Sequence, residues 1–401
     1  MNLEDILVIG SHTEVSSFNE NSYLIINNIT GKYIKINENF YHIIELFDGK
    51  KSINEIYVEY NSIHQNITKE TCLEIAGKLD KVGVFESSNN INQRKKLPDY
   101  LSFGFIFFKA KWVGEIVPYL KFLFNKAIVA TLLLSSFLVL CFLSYKNYSS
   151  SEEVDLLKIA FLFIPISLLC TLFHELGHAT ATHYYKAKHG GIGFGLYLYF
   201  MPVFFADVTD IWRLKKWERI VVNASGVYFA LIFCTVLILL SVVLQSKVLF
   251  AIGSALAFKQ LYNLVPYLRT DGYWIASDYF NQPNLMINSF NQFKKLISLN
   301  FGEFSRKDYL LATYGFFNFG LMFYFVVYML AFHFFEIILF PQKLFLFLSM
   351  ISLESFSWTF SEISKVLPVI IFYFFAIRIL INLSKKYLKT KKINERNTII
   401  F

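Results

Sequence analysis

The chain is predicted to be a polytopic α-helical membrane protein with about six transmembrane helices, preceded by a small N-terminal α+β domain resembling a winged helix in size. Three observations predict this. Of its 401 residues, 55% are hydrophobic and 45 are Phe, yet only 17% are charged. A soluble chain of this length would form two or three domains with about a quarter of its residues charged. The apolar residues gather into stretches near or beyond the roughly 18 to 20 residues that cross a bilayer. Residues 1–88, by contrast, show the short alternations and helical repeats of a soluble unit. The net charge of +8 clusters at segment ends. It reads as an orientation signal, and no nucleic-acid partner is expected.

In the N-terminal domain, 23–26 and 33–36 read as two strands around the turn-rich Asn27-Asn28-Ile29-Thr30-Gly31. A helix begins near Asn37. Ser52 and Glu55 form a capping box, after which Ile53, Ile56, Tyr57 and Tyr60 recur at helical spacing. Cys72, Ile75, Ala76, Leu79 and Val82 predict a third helix, and the polar stretch 87–96 closes the unit. No cleavable signal peptide is expected, because the first long apolar stretch lies beyond residue 100. The domains expected are therefore 1–88, a linker and interfacial segment 89–126, a membrane domain 127–384 and a basic tail 385–401.

Six spans are predicted: 127–145, 159–182, 220–244, 248–266, 310–335 and 366–383. The shorter or interrupted apolar stretches 101–108, 191–206 and 344–351 read as interfacial or re-entrant. Glu152, Glu153 and Asp155 mark an outside loop. Lys186, Lys188, Arg213, Lys215, Lys216 and Arg219, then Lys294, Lys295, Arg306 and Lys307, mark inside loops. Positive loops stay in the cytoplasm, which places both termini there. Cys72, Cys141, Cys170 and Cys234 show no paired spacing and read as small apolar fillers.

The chemistry concentrates in His174-Glu175-Leu176-Gly177-His178, inside the second predicted span. Histidines four apart share a helix face, so both rings reach one Zn²⁺, and the intervening Glu175 can act on water there. An ionisable cluster in hydrocarbon is costly and by default functional. A catalytic zinc needs a third protein ligand. Asp271 is favoured: His178 lies about 10 Å from the cytoplasmic end of its span at helical rise, and Asp271 follows the fourth span, which ends on the same side. Asp207 and Asp210, in the other cytoplasmic loop, remain rival carboxylates, and His183 and His189 are weaker rivals. Glu175 takes the role of general acid and base. Asn263 can donate to a substrate carbonyl, or simply join two helices. Lys259 can snorkel or line a water path. Gly190-Gly191-Ile192-Gly193-Phe194-Gly195 lacks the Gly-Lys-Ser/Thr of a phosphate loop. The alternation that follows it predicts a hairpin able to hold an extended peptide.

These residues resemble the site-2 protease family of intramembrane zinc metallopeptidases. The likeness rests on His174-Glu175-x-x-His178 within a span and on Asn263-x-x-Pro266 followed by Asp271-Gly272, and covers roughly 159–272. It implies His174, His178 and Asp271 as ligands of one Zn²⁺ per chain and Glu175 as the catalytic carboxylate. Thr270 stands where the family usually has Leu, and Val227 follows Gly226 where it has Pro. The stretch 202–212, with Asp207-Val208-Thr209-Asp210, is similar to the peptide zinc metalloprotease subgroup. The N-terminal hairpin, Phe47-Asp48-Gly49-Lys50-Lys51-Ser52-Ile53 and Lys81-Val82-Gly83-Val84-Phe85 resemble a PqqD-like peptide-recognition domain.

The resemblance implies a multi-pass protein of the bacterial cytoplasmic membrane. Its expected role is to cleave a ribosomally synthesised precursor, a bacteriocin or signalling peptide, during maturation or export. The expected partners are a precursor with its leader segment, membrane lipid, and a peptide-modifying enzyme or exporter. One alternative is a regulatory protease that cuts a transmembrane anti-sigma factor or a signal-peptide remnant. The other is a non-catalytic membrane peptide binder serving immunity or export, for which an intact Glu175 is unnecessary.

Overall fold

The computed structural model describes residues 2–19, 22–29, 32–64, 67–87, 101–148, 156–197, 201–267, 269–282, 284–298 and 304–349, together with 369, 370, 372, 373, 376 and 377. The polar linker 88–100, most of the sixth predicted span and the basic tail lie outside the described residues. The chain divides into two compact units, Met1–Pro283 and Asn284–Phe401.

The first unit opens with strands β1 (Ile6–Val8), β2 (Thr13–Asn19), β3 (Ser22–Asn27) and β4 (Lys32–Asn37), helix α1 (Glu38–Glu45), strand β5 (Asp48–Ser52) and helices α2 (Ile53–His64) and α3 (Lys69–Val82). β2, β3 and β4 form an antiparallel sheet in that order, and β1 pairs with β5. The two expected strands are β3 and β4; the other three were not foreseen. Asp48-Gly49-Lys50-Lys51-Ser52 shows no apolar alternation, because most of β5 is exposed. Its pairing comes from β1, more than forty residues away along the chain. Local chemistry sets the helix ends. The Asn37 side chain accepts from the Phe40 N–H at 3.0 Å. The Ser52 N–H donates to Glu55 at 2.8 Å and the Glu55 N–H to Ser52 Oγ at 3.3 Å, closing the capping box. α3 stops at Gly83, whose left-handed φ of +80° favours glycine. Ile25, Ile43, Ile44, Phe47, Ile53, Ile56 and Phe85 fill the core of this domain.

Strand β6 (Leu101–Phe108), helix α4 (Ala110–Leu120), a short 3-10 turn, and helices α5 (Lys126–Tyr148) and α6 (Leu156–Tyr184) follow. Then come strands β7 (Ile192–Tyr197) and β8 (Met201–Ala206) and helices α7 (Lys216–Val243), α8 (Lys247–Asn263) and α9 (Asp271–Tyr279). The stretches 101–108 and 191–206 meet as one antiparallel sheet, in the order β6, β7, β8. α7 is central: it packs against α5, α6, α8 and α9. Glycine permits the closest of these approaches. A Cβ on Gly177 of α6 would lie 2.9 Å from the Phe229 side chain and against the Ser225 carbonyl of α7.

In the second unit, α10 (Leu285–Ile297) packs on α11 (Arg306–Phe332), and α12 (Phe334–Ser349) follows. The predicted interfacial stretch 344–351 therefore begins inside α12, with 350 and 351 outside the described residues.

Among the described residues, three helices are long and apolar enough to cross a membrane: Phe161–Tyr184 within α6, α7 and α11. The pair Ala110–Phe124 and Lys126–Phe142, bent by 82°, makes a fourth if it is one span. The expectation of six is thus met only in part. The fourth predicted span corresponds to the 17-residue α8, at the short end of the roughly 17 to 25 residues that cross a bilayer. Phe137, Phe142 and Phe161 remain 62%, 67% and 81% exposed, as lipid-facing side chains would.

The N-terminal domain meets the loop after β8 through Arg213. Its guanidinium donates to Glu14 of β2 at 2.6 Å, to Asn28 at 2.8 Å and to Asp210 at 2.7 Å. Asp210 also accepts from the Lys188 N–H at 2.8 Å. Arg213→Glu is expected to loosen this contact, read as faster proteolytic cutting and hydrogen exchange in 13–28. Adding Glu14→Arg should restore protection; no change in either variant would mean that other contacts hold the domain.

Candidate metal centre

α6 brings the two motif histidines together: His174 Nε2 and His178 Nε2 are 3.2 Å apart. Asp271 is the first residue of α9, and it faces them across the bundle. Its Oδ2 lies 3.0 Å from His174 Nε2 and its Oδ1 lies 3.5 Å from His178 Nε2. Local geometry explains how Asp271 arrives there. Thr270 Oγ1 donates to the Val265 carbonyl at 2.8 Å and to that of Tyr267 at 3.2 Å, folding the chain tightly after α8. Gly272 then passes so close to the Leu264 and Val265 backbone that any Cβ would collide with it.

The donor set fits a metal cation. His178 Nδ1 is 2.8 Å from the Val222 carbonyl, which can only accept, so this nitrogen carries the proton. His174 Nδ1 is likewise 3.1 Å from Gln260 Oε1. Both Nε2 atoms therefore turn lone pairs toward each other and toward a carboxylate. Asp271 Oδ2 is buried and accepts no hydrogen bond from the described residues. Converging acceptors without a donor repel unless a cation lies between them. Tetrahedral zinc with ligands near 2.0–2.1 Å spaces them about 3.3 Å apart, close to the separations seen. These three residues form the candidate metal cluster among those described.

Gly226 of α7 forms the floor of the site. A Cβ there would sit 2.6 Å from His174 Nε2 and closer still to His178 Nε2. Glu175 is 7% exposed, and its Oε2 accepts from the Ala206 N–H at 2.6 Å. The carboxylate thus joins the cluster to the end of edge strand β8. Asn263 closes α8 and donates to Gln260 Oε1 at 3.4 Å. Lys259, beside the buried Gln260, is exposed.

The rival ligands lie elsewhere. Asp207 accepts from the Thr209 hydroxyl at 2.7 Å, and Asp210 pairs with Arg213. His183 and His189 face each other with ring centroids 6.1 Å apart.

Sequence reading missed Gln260 and a buried network behind it. Arg219 of α7 donates to Asp278 of α9 at 2.6 Å, and Asn223 donates to the same carboxylate at 3.0 Å. Burial pushes the Asp278 carboxyl above its ordinary range, against the pull of Arg219. Asp278 lies two turns beyond Asp271, so this network fixes the helix that presents Asp271. The available signal was polarity: Gln260, Arg219 and Asp278 are polar residues in or beside apolar helices. Gln260→Leu should weaken zinc binding about 10- to 100-fold in chelator competition, with Gln260→Glu near the parent value. Equal affinities in all three proteins would deny Gln260 an orienting role.

The chain is 24% identical over 138 residues to the "Putative peptide zinc metalloprotease protein YydH" of Bacillus subtilis (strain 168). The alignment covers 34% of this chain and 53% of that protein, so the chain spans about half the relative's length. No family model matches. No solved structure matches.

Proposed function

We propose that this protein is an intramembrane zinc endopeptidase of the site-2 type that cuts a ribosomally synthesised peptide precursor during maturation or export. One observation carries the reading: three buried acceptors converge from α6 and α9, with Glu175 beside them and hydrogen-bonded to the end of an edge strand. The partial likeness to a protein named as a peptide zinc metalloprotease supports it.

In this reading His174, His178 and Asp271 hold the ion, which when bound supplies a Lewis acid for the scissile carbonyl and for water. The chain's own residues do the rest. Val222 and Gln260 fix the ring orientations. The edge strand β8 takes the substrate as an added strand, which presents its carbonyls in an extended form that a helix would hide. Glu175 receives a proton as water adds to the carbonyl carbon, then returns it to the nitrogen as the C–N bond breaks. Asn263 donates to the carbonyl oxygen as charge develops there.

The N-terminal domain is proposed to act as a PqqD-like module that captures the precursor's leader. Its sheet has an edge strand in β4, and its tether raises the local substrate concentration. A peptide-modifying enzyme or exporter would act alongside. The loop charges support an orientation with both termini inside, as expected for a protein of the bacterial cytoplasmic membrane.

The test is comparative peptidomics of secreted and membrane fractions from host cells making wild-type protein or Glu175→Gln. A short peptide released by wild type alone supports the proposal and names the precursor. A released fragment of a membrane protein points to the regulatory protease instead, and identical profiles point to a non-catalytic binder.

A further inference from the structure

A second polar site lies at the end of α6, remote in sequence from the catalytic motif. Lys121, Asn125, His183, Tyr184 and Lys186 line an open cavity of about 700 Å³, and no carboxylate is among its lining residues. Its position relative to the apolar helices is informative. α6 ends at Tyr184 and α5 begins at Lys126, so two strongly apolar helices terminate at this cavity. α4 with its 3-10 turn meets α5 at 82°. If α5 crosses the bilayer, α4 lies nearly in its plane.

The faces of α4 suit that placement. Val113 and Val117 are buried, packed with Ala179 and Ile192, whereas Trp112, Ile116 and Tyr119 recur on an exposed face and are 51%, 50% and 80% accessible. An amphipathic helix with aromatic residues on its free face belongs at the headgroup boundary. The cavity therefore opens at the depth where phospholipid phosphates lie.

Lys186 adds an independent observation. It ends α6 in the left-handed conformation, with φ of +62°. Its N–H bonds the His183 carbonyl at 3.0 Å, and the Ala187 N–H bonds that of Thr182 at 3.0 Å. Glycine or asparagine is the usual residue at such a cap, and lysine is strained there. Lys186 at this cap thus lines the cavity together with Lys121.

We propose that this cavity binds the phosphate of an anionic phospholipid headgroup, with Lys121 and Lys186 supplying charge and Asn125 and His183 supplying hydrogen bonds. The lipid would fix the corner between α4 and α5 and the end of the helix that carries His174 and His178.

Native mass spectrometry of the full-length protein, released from nanodiscs of mixed phosphatidylglycerol and phosphatidylcholine, tests this. It is run in a Glu175→Gln background, so the result is independent of whether the protein is a peptidase. Wild-type lysines should retain phosphatidylglycerol selectively. Neutralising each should weaken retention roughly fivefold, and Lys121→Gln with Lys186→Gln about thirtyfold, whereas the double arginine replacement should keep it. Equal retention of both lipids, or selectivity unchanged by the glutamines, would overturn the proposal. Displacement of the lipid by millimolar inorganic phosphate would also overturn it, assigning the cavity to the free ion.

Discussion

If the proposed function holds, a Glu175→Gln protein is expected to purify with the same zinc content as its parent but to hydrolyse peptide about 10²- to 10⁴-fold more slowly, the usual contribution of a positioned general base. The direction follows from where Glu175 stands. Its carboxylate is not one of the three converging acceptors, so the cluster survives the substitution. An amide oxygen can still accept from the Ala206 N–H, which Glu175 receives at 2.6 Å. What the amide cannot do is take a proton from water. The measurement pairs metal analysis with single-turnover cleavage of the precursor identified by peptidomics. Unchanged cleavage would remove Glu175 from the chemistry, and lost zinc would make it a structural member of the site.

Gly226→Ala is expected to cost the site its metal although the substitution adds one methyl group. The new Cβ would press against both Nε2 atoms, at 2.6 Å in the case of His174, which is inside the lone-pair region that a ligand must leave open. Neither ring can retreat freely, because Val222 and Gln260 hold the opposite nitrogens. Gly177 of α6 also lies against the Ser225 carbonyl and Phe229 of α7, so the backbone has little room to move. Metal analysis should find almost no zinc in Gly226→Ala. Asp271→Ala should lose zinc as well, and Asp207→Ala should keep it. A full complement of metal in Asp271→Ala, with loss in Asp207→Ala, would move the third ligand to the loop after β8.

Features with a short repeat were legible without the structure. The four-residue spacing of His174 and His178 puts both on one helix face whatever surrounds them. The capping box at Ser52 and Glu55, the alternation in β3 and β4 and the hairpin from Ile192 to Ala206 likewise depend on neighbours a few residues away. β1 and β5 were not legible, since Asp48-Gly49-Lys50-Lys51-Ser52 becomes a strand only through its partner. The predicted fourth span runs past the end of α8, because hydropathy continues beyond Asn263, where the helix stops.

By itself, the sequence predicted helices apolar enough to cross a membrane and an ionisable His-Glu-x-x-His motif inside one of them. Composition and local period decide both, and neither depends on the fold. Tertiary structure alone showed which groups lie beside the two histidines. Asp271, Gln260, the Val222 carbonyl, the Ala206 N–H and the space left by Gly226 come from four separate elements of the chain. Their convergence depends on helix packing, and no spacing along the sequence encodes it.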